Sequence, residues 1–304
     1  TLDRSSAASD VYKRQEHDWV FDALGTRWTV TTPEPLASSV CTAVADELDR
    51  IDRAWSRFRD DSMVAEIAAH PGSYPVDPVD QPLVDWYRRL YDLSAGAVSP
   101  FVGATLSDAG YDPRYSLRPA ERIRDTPRWD DVLTGHDGVL EVRRPVLIDV
   151  GAAGKGFAVD RVSAIVAATA PQHIVDGGGD MVIAGYDTPR RVALEHPDDS
   201  TRAIGVVDVA DGAICASAVN RRAWADWHHI IDPRTSSPAR EVVATWVLAP
   251  TAMEADGLAT ALFFTPAALL RGHFHHHDDG FHHLTVRRSG SVEHTAIPGL
   301  ELYL

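Results

Sequence analysis

The segment from Val146 to Arg161 combines an acid, a lysine and several glycines in an order typical of a strand, a turn and a helix. Asp149 stands at the end of the expected strand, and Lys155 lies inside the glycine-rich turn. This arrangement suits a phosphorylated ligand, because a helix start offers free backbone N–H groups and a positive dipole end. The sequence excludes a Walker A loop, which needs Gly at position 149, and the dinucleotide fingerprint, which needs Gly where Ala153 stands. A purely structural turn explains this segment alone equally well.

Two further segments place polar residues at bends. In Asp176-Gly-Gly-Gly-Asp180 the consecutive glycines allow close approach of the backbone to a ligand and positive φ angles, although a sharp β-turn also explains them. The segment from His228 to Pro238 sets histidines beside a strand and a loop closed by proline. A histidine there is a candidate general acid or base. A structural histidine is the commoner alternative.

Asp256 and Thr260 are spaced i, i+4 in a segment that is otherwise mostly apolar. On a helix the two side chains project from one face, about one turn apart. A carboxylate and a hydroxyl are hard oxygen ligands that suit Mg²⁺, and an acid in apolar surroundings is costly to bury unless it is paired or bound to a metal. The alternative is a first-turn carboxylate that the helix dipole stabilises.

The composition restricts the possible partners. The chain has 304 residues, 29 basic and 44 acidic, and a net charge of −15. There is no basic tract, so we expect neither nucleic acid nor an anionic membrane as a partner, and an anionic ligand would need a local cation. No run approaches the roughly 18 apolar residues of a transmembrane segment. The two cysteines provide no disulfide framework.

The first fifteen residues are polar and lack periodicity. They resemble a translated sequencing adapter, so we expect residues 1–15 to be a disordered, non-native leader and residues 16–304 to form a single domain. The native start would then be missing, which leaves the compartment open. The chain as it stands suggests the cytoplasm, but an exported or membrane-anchored protein is compatible with a lost native start.

Apolar periodicity predicts helices and strands along the rest of the chain. The predicted helices cover 36–55, 62–69, 80–95, 155–169 and 253–264. Strands are predicted over 20–31 with a break at Gly25-Thr26, at 148–150, and twice within 173–184. Further strands are predicted at 191–195, 204–209, 213–217, 228–231, 242–249, 282–287 and 291–295. Residues 97–145 are expected to be irregular, with a hairpin signal at 136–138.

Taken together and in order, these motifs resemble the FAD:protein FMN transferases, the ApbE-like family. The resemblance runs from about Ala23 to the end of the chain. Its matching segments are Gly25-Thr26 with Trp28, Ser56-Arg-Phe58 with Asp61-Ser62, 148–160, Gly178-Gly-Asp180, His229-Ile-Ile-Asp-Pro-Arg-Thr235 and Ala255-Asp-Gly-Leu-Ala-Thr260.

The resemblance implies an α+β fold with mixed, mostly antiparallel sheets and packed helices. It implies FAD as substrate, Mg²⁺ as cofactor, and transfer of FMN to a Thr or Ser hydroxyl of an acceptor flavoprotein with release of AMP. The implied metal ligands are the backbone oxygen of Ala152, Asp256 and Thr260. The implied FAD contacts are Asp149, Lys155 and Ile231, with Leu24, Phe58, Ala97, Val98 and Ser99 lining the flavin and adenosine pocket. His229 matches the histidine proposed as the base.

Elementary electrostatics agrees with these roles. Mg²⁺ on the pyrophosphate offsets charge that an acidic protein repels and stabilises charge that develops on the leaving AMP. Lys155 adds a point cation. His229 could take the proton of the attacking hydroxyl, a role typically worth about 10²–10⁴-fold in rate.

The sequence departs from the family pattern at the ligand rim. Val98-Ser99 replaces the usual aromatic-acid step, Ser217-Ala218 replaces Ser-Gly before Asn220 and Arg222, and Thr235-Ser236 replaces Thr-Gly. These changes bear on the contacts at 97–99 and on the efficiency of transfer more than on the metal ligands. Hydrolysis of FAD to FMN and AMP by the same metal site, and FAD carriage without chemistry, remain alternatives.

One cluster has no counterpart in the family pattern: His273, His275, His276, His277, His282 and His283, with Asp278 and Asp279. A transition-metal patch is one interpretation. The spacing matches no standard zinc site, so we favour a solvated helix end and loop.

Overall fold

The computed structural model describes residues 16–134, 138–272 and 280–303. The expected leader, most of the histidine cluster and most of the hairpin signal at 136–138 lie outside these ranges. The α-helices are α1 (Ser38–Trp55), α2 (Met63–Ala69), α3 (Gln81–Leu93), α4 (Gly103–Asp108), α5 (Trp129–Val132), α6 (Gly154–Ala167), α7 (Ala252–Ala261) and α8 (Ala267–Arg271). Short 3₁₀ helices cover Pro100–Val102 and Val219–Arg222.

The strands begin with β1 (His17–Ala23), β2 (Thr26–Thr32), β3 (Gly72–Pro75), β4 (Leu133–Thr134), β5 (Val139–Val142), β6 (His173–Gly177), β7 (Met181–Ala184), β8 (Arg190–His196) and β9 (Asp199–Val209). They continue with β10 (Gly212–Ala218), β11 (Ala223–Trp224), β12 (Trp227–His228), β13 (Ile231–Asp232), β14 (Ser237–Pro238), β15 (Val242–Ala249), β16 (His282–Arg287), β17 (Val292–His294) and β18 (Glu301–Leu302).

The largest sheet has eight strands in the order β1-β2-β6-β7-β10-β15-β16-β17. Three-stranded sheets have the orders β18-β9-β8 and β3-β5-β4, and two hairpins pair β11 with β12 and β13 with β14. The strand pairings seen in the described residues are antiparallel. The predicted α+β class with mostly antiparallel sheets and packed helices is therefore confirmed.

Side chains along the central strands point alternately to the two faces of the large sheet, and both faces are buried. On one face, Cys215 of β10 and Val247 of β15 belong to the main core, which also contains buried residues of α1, α3, α6 and α7. On the opposite face, Ile214 and Trp246 pack in a second core that includes Leu194 of β8. Successive side chains of a strand point to opposite faces, so the helices cover one side of the sheet and the small sheet covers the other.

Local sequence signals explain the helices that border the site. In α1 the buried residues Val40, Val44, Leu48, Ile51 and Trp55 recur every three or four positions, which is the stripe of an amphipathic helix. The N–H of Glu254 donates to the hydroxyl of Thr251, the N-cap of α7, at 3.2 Å, and this bond satisfies one of the free donors of the first turn.

Three predictions of secondary structure were wrong. Residues 148–150 form no strand, because the N–H of Asp149 donates to the carbonyl of Pro100 at 2.7 Å instead of joining a ladder. The strand expected at 228–231 is two short strands, β12 and β13, separated by residues 229–230. The region expected to be irregular, 97–145, contains α4, α5, β4 and β5.

No helix within the described ranges has the length and apolar character needed to cross a bilayer.

Candidate active site

Every residue predicted from the sequence as a site residue lines one cavity of about 600 Å³. Its lining includes Leu24, Phe58, Ala97, Val98, Ser99, Asp149, Ala152, Lys155, His229, Ile231, Asp256 and Thr260. These residues come from loops, helices and the short strand β13, spread over most of the chain, and the fold brings them together. The volume lies within the roughly 300–1,000 Å³ typical of ligand pockets.

The side of the cavity that carries Asp256 is built where the start of α6 meets α7. A Cβ on Gly156 would lie 2.1 Å from the carbonyl oxygen of Ala252, so only glycine permits this approach. The N–H of Gly156 donates to Oδ2 of Asp256 at 2.9 Å. Asp160, one turn further along α6, accepts the N–H groups of Ala252 at 2.8 Å and Met253 at 2.9 Å. The two helices are thus joined by backbone-to-carboxylate hydrogen bonds in both directions.

The loop before α6 lies close to the last turn of α7. The hydroxyl of Thr260 lies 3.4 Å from the carbonyl oxygen of Ala152. On the other side of the loop, the hydroxyl oxygen of Tyr87 accepts the N–H groups of Ala152 at 3.1 Å and Ala153 at 3.2 Å. The three predicted metal-ligating residues therefore line one cavity, with the hydroxyl and the carbonyl in direct contact.

The chemistry of these groups fits a hard divalent cation. Asp256 is 2% exposed, and burial together with the nearby Asp180 carboxylate raises its pKa. A buried acid of this kind is stabilised by a cation, and carboxylate, hydroxyl and carbonyl oxygens are what Mg²⁺ prefers. Among the residues that the structure describes, no group of three or more His, Cys, Asp or Glu could hold a metal ion. Any metal in this cavity would thus depend on the hydroxyl and carbonyl as well.

Lys155 forms an ion pair with Asp180 next to Asp256. Burial lowers the pKa of Lys155, but the carboxylates of Asp180 and Asp256 outweigh it, so the pKa of the ammonium is raised. Its side chain is 27% exposed, whereas that of Asp180 is 1% exposed. Lys155 therefore stays charged and keeps one side accessible to an anionic ligand, while Asp180 holds it from behind.

The glycine run forms the turn between β6 and β7. Gly178 and Gly179 have φ angles of +75° and +99°, and a Cβ on Gly178 would lie 2.2 Å from the hydroxyl oxygen of Thr26. The N–H of Gly179 donates to Oδ1 of Asp176 at 2.7 Å. Glycine is required here by the turn and by its close packing on β2, which fits the interpretation as a sharp β-turn. Gly178 and Gly179 also line the cavity, which fits the interpretation as a close approach to a ligand.

Asp149 has a protein partner that the sequence did not reveal. Its Oδ2 accepts a hydrogen bond from Nε of Arg57, and its Oδ1 accepts the N–H of Gly151 at 2.7 Å. The Arg57 side chain is 2% exposed, and its guanidinium lies 4.2 Å from the ring centroid of Phe58. A FAD contact by Asp149 would therefore be made by a carboxylate already oriented by a buried arginine.

An aromatic wall formed by Phe58, Tyr111 and Tyr115 borders the cavity. The rings of Phe58 and Tyr115 are nearly parallel, with an interplanar angle of 7° and centroids 5.6 Å apart. Tyr111 meets Phe58 edge to face, with centroids 5.4 Å apart. Phe58 and Tyr115 are exposed, whereas Tyr111 is buried behind them. Exposed aromatic rings beside a cavity provide stacking surfaces for a flat heterocycle.

The remaining predicted pocket residues lie at the turn between β1 and β2, in the segment before the first 3₁₀ helix, and on β13. Leu24 and Gly25 connect β1 to β2 with φ angles of +49° and +71°, so a leucine occupies a left-handed turn position at some conformational cost. Ala97, Val98 and Ser99 are buried, and the Ser99 hydroxyl oxygen accepts the N–H of Phe101 at 3.2 Å. Ile231 is also buried.

The structure distinguishes the two neighbouring histidines. His228 is held by the backbone: Nε2 is 2.7 Å from the carbonyl oxygen of Ala239, and Nδ1 accepts the N–H of Ile230 at 3.2 Å. His229 lines the cavity, and its buried Nδ1 has no hydrogen-bond partner among the described residues. Burial, followed by the positive charge of Arg222, lowers the pKa of His229 to about 3. His229 is therefore neutral near pH 7, so it has a free position for a proton, although a pKa this low also makes it a weaker base than free imidazole.

Sequence reasoning assigned no role to four cavity or loop residues: Arg57, Tyr87, Tyr111 and Tyr115. Arg57 stands inside the quoted Ser56-Arg-Phe58 match, which was a usable signal. Tyr87 falls in the predicted helix 80–95 and is buried, but helical periodicity does not reveal what a hydroxyl contacts. Tyr111 and Tyr115 fall in the region expected to be irregular and carried no pattern.

Known proteins are similar to this chain in sequence. The ApbE family model matches residues 24–280. The FAD:protein FMN transferase of Rhodobacter capsulatus is 29% identical over 80% of this chain and 50% of its own length, so the chain spans half the length of that relative. The enzyme of the same name from Klebsiella pneumoniae is 27% identical over 79% of this chain and 75% of its own length.

Solved structures share the fold. The crystal structure of the ApbE protein from Thermotoga maritima has a TM-score of 0.81 at 27% identity and covers 92% of this chain and 97% of its own. The flavin transferase ApbE from Vibrio cholerae has a TM-score of 0.76 at 23% identity, covering 93% and 97% respectively, which shows a common fold. The family model covers most of the chain, which therefore belongs to the ApbE family.

Proposed function

We propose that this protein transfers the FMN half of FAD to a Thr or Ser hydroxyl of an acceptor flavoprotein and releases AMP in a Mg²⁺-dependent reaction. Support comes from one observation above all. Asp256, Thr260 and the Ala152 carbonyl share a single cavity with Lys155 and with the aromatic wall. A phosphate site and stacking surfaces for a flat ring suit FAD, and a cation site beside them suits a Mg²⁺-dependent reaction on its pyrophosphate.

The reaction is a phosphoryl transfer. The hydroxyl oxygen of the acceptor forms a bond to the phosphorus of the FMN moiety, the bond from that phosphorus to the bridging oxygen breaks, and AMP leaves with that oxygen. His229 takes the proton of the attacking hydroxyl, for which its neutral imidazole is in the required form. Lys155 binds a phosphate oxygen on its exposed side while Asp180 holds it in place.

The residues that would hold Mg²⁺ are Asp256, Thr260 and the carbonyl of Ala152. When bound, Mg²⁺ would offset the charge of the pyrophosphate and of the departing AMP. The protein has a net charge of −15, so Mg²⁺ would add to Lys155 as a local positive charge for an anionic substrate. Asp149, Ile231, Leu24, Phe58 and the segment 97–99 would bind the flavin and adenosine parts of FAD.

Mass spectrometry of a candidate acceptor, after incubation with this protein, FAD and Mg²⁺, tests the proposal. We expect the acceptor to gain the mass of FMN less one water, with AMP as the second product and no gain when EDTA is present. Release of FMN and AMP with an unmodified acceptor would indicate a pyrophosphatase. Intact FAD would indicate a carrier. Either result would overturn the proposal for that acceptor, and a panel of acceptors with Ala at the target hydroxyl provides the matched control.

A further inference from the structure

The hydroxyl of Tyr87 is buried in the protein at the loop that precedes α6. Tyr87 lies on α3 and is 3% exposed. Its oxygen accepts the N–H groups of Ala152 at 3.1 Å and Ala153 at 3.2 Å. In the described part of the chain, the Tyr87 hydroxyl is the one hydrogen-bond partner seen for the N–H of Ala152. The N–H of Ala152 is half-buried and that of Ala153 is buried, and a backbone donor removed from water is costly to leave unpaired, so this hydroxyl supports the loop conformation.

The N–H of Ala153 donates both to the Tyr87 hydroxyl at 3.2 Å and to the carbonyl of Val150 at 3.3 Å. The bond to Tyr87 therefore contributes to where the carbonyl of Ala152 points. The carbonyl of Ala152 and the N–H of Ala153 belong to the same peptide unit. In a planar trans peptide these two groups point in opposite directions. Because the N–H points to Tyr87, the carbonyl oxygen is directed away from α3, and it lies 3.4 Å from the hydroxyl of Thr260 on α7.

We propose that Tyr87 is a positioning residue for the metal site: its hydroxyl orients the Ala152–Ala153 peptide so that the Ala152 carbonyl joins Asp256 and Thr260 in binding a divalent cation. This inference rests on the proposed function, since it assumes that the three groups bind Mg²⁺. Tyr87 itself touches neither cation nor substrate. It acts by fixing one ligand in advance, which reduces the reorganisation needed when the cation binds.

The test compares Tyr87→Phe with Tyr91→Phe. Tyr91 lies one turn further along α3, and its hydroxyl oxygen also accepts a backbone N–H, that of Trp129 at 3.3 Å. Both variants lose one buried or half-buried hydroxyl from the same helix, but only Tyr87 contacts the loop. Mg²⁺ affinity is measured by isothermal titration calorimetry without FAD, on variants whose circular dichroism spectra match the wild type.

We expect Tyr87→Phe to bind Mg²⁺ about 10- to 100-fold more weakly, the range seen when an outer-shell partner of a metal ligand is lost. Tyr91→Phe should bind within twofold of the wild type, roughly the scatter of a neutral substitution. Transfer by Tyr87→Phe should recover when the Mg²⁺ concentration is raised, with the KM for FAD unchanged. A general structural defect would not show this recovery.

Wild-type Mg²⁺ affinity in Tyr87→Phe overturns the inference while leaving the proposed function intact. Failure of the wild type itself to bind Mg²⁺ refutes the metal site of the proposed function, and the inference with it. If Tyr87→Phe does not fold, hydrogen exchange in the wild type decides. Protection of the Ala152 amide supports the inference, and exchange at the rate of an open loop overturns it.

Discussion

The hydroxyl of Thr260 lies 3.4 Å from the carbonyl oxygen of Ala152, although 108 residues separate them in the chain. One turn earlier on α7, Oδ2 of Asp256 accepts the N–H of Gly156, which lies 100 residues away. These two contacts bring the helical carboxylate–hydroxyl pair to the loop beside Lys155. The proposed metal site depends on this approach of α7 to the start of α6.

Replacing Asp256 by Asn should lower the rate of Mg²⁺-dependent transfer by about 100-fold or more and leave the fold intact. Burial and the Asp180 carboxylate raise the pKa of Asp256, so the ionised carboxylate is costly in the metal-free protein. The Asp256→Asn protein lacks this charge and should therefore unfold at the same temperature as the wild type or at a higher one. Mg²⁺ at 100 times its dissociation constant should stabilise the wild type by about 2.7 kcal/mol and the variant not at all. Thermal unfolding with and without Mg²⁺ measures this.

Glu254→Gln is the matched control for Asp256→Asn. It removes a carboxylate from the first turn of the same helix, where the expected cost is only a dipole interaction of about 0.3–1 kcal/mol. Full transfer activity in Asp256→Asn, or equal losses in both variants, would defeat the assignment of Asp256 as a metal ligand.

Lys155→Met should destabilise the protein by about 3 kcal/mol, because it leaves the buried Asp180 carboxylate without its partner. Adding Asp180→Asn should recover part of that loss, with a coupling energy of about 0.5–3 kcal/mol. Urea unfolding of the two single variants and the double variant, at neutral pH, yields the coupling directly. Strictly additive effects would show that the ion pair is not the cause.

Gly156→Ala should force α6 and α7 apart. The added methyl group would lie 2.1 Å from the carbonyl oxygen of Ala252 and 2.8 Å from Cβ of Asp256, an overpacking that typically costs about 1–3 kcal/mol. Mg²⁺ affinity should fall as well, because Asp256 shifts away from the loop. Gly72→Ala is the control: its methyl group meets nothing closer than the Tyr74 ring at 3.9 Å. Equal melting temperatures for both variants would contradict this account of the interface.

The contribution of His229 to the free energy of unfolding should rise with pH between about 3 and 6.5. Burial lowers the pKa of His229 to about 3, so in this window the unfolded chain binds a proton that the folded protein excludes. Burial also lowers the pKa of His173, His228 and His283, which adds to the same trend. Asp160, Asp176 and Asp256 oppose it, since burial raises the pKa of each carboxyl, that of Asp160 to about 6, and the folded state then binds the extra protons.

His229→Gln should reduce the slope of unfolding free energy against pH by up to about 1.4 kcal/mol per pH unit within that window. Urea unfolding of Mg²⁺-free protein at several pH values provides the slopes. His196→Gln serves as the comparison, since that side chain is part-exposed on β8. An unchanged slope in His229→Gln would show that the imidazole is protonated in the folded protein.

Local patterns were sufficient for the helices that carry the site. The apolar stripe of α1 and the i, i+4 spacing of Asp256 and Thr260 depend only on the geometry of a helix, which repeats within a few residues. Strands were harder. The four-residue strand β3 pairs with β5, more than sixty positions away, and so short a strand has too little alternation to be recognised.

The sequence by itself determined the order of the motifs, the chemical types at each position and the family to which they are similar. It could not show that Arg57 orients Asp149, or that His228 is held by the backbone while His229 faces the cavity. It also could not show that the Tyr87 hydroxyl accepts backbone N–H groups of the loop before α6. These are contacts between segments far apart in the chain, and they depend on how the helices and sheets pack. A residue's periodicity reports which side of its element is buried, whereas tertiary packing decides which polar atom it meets there.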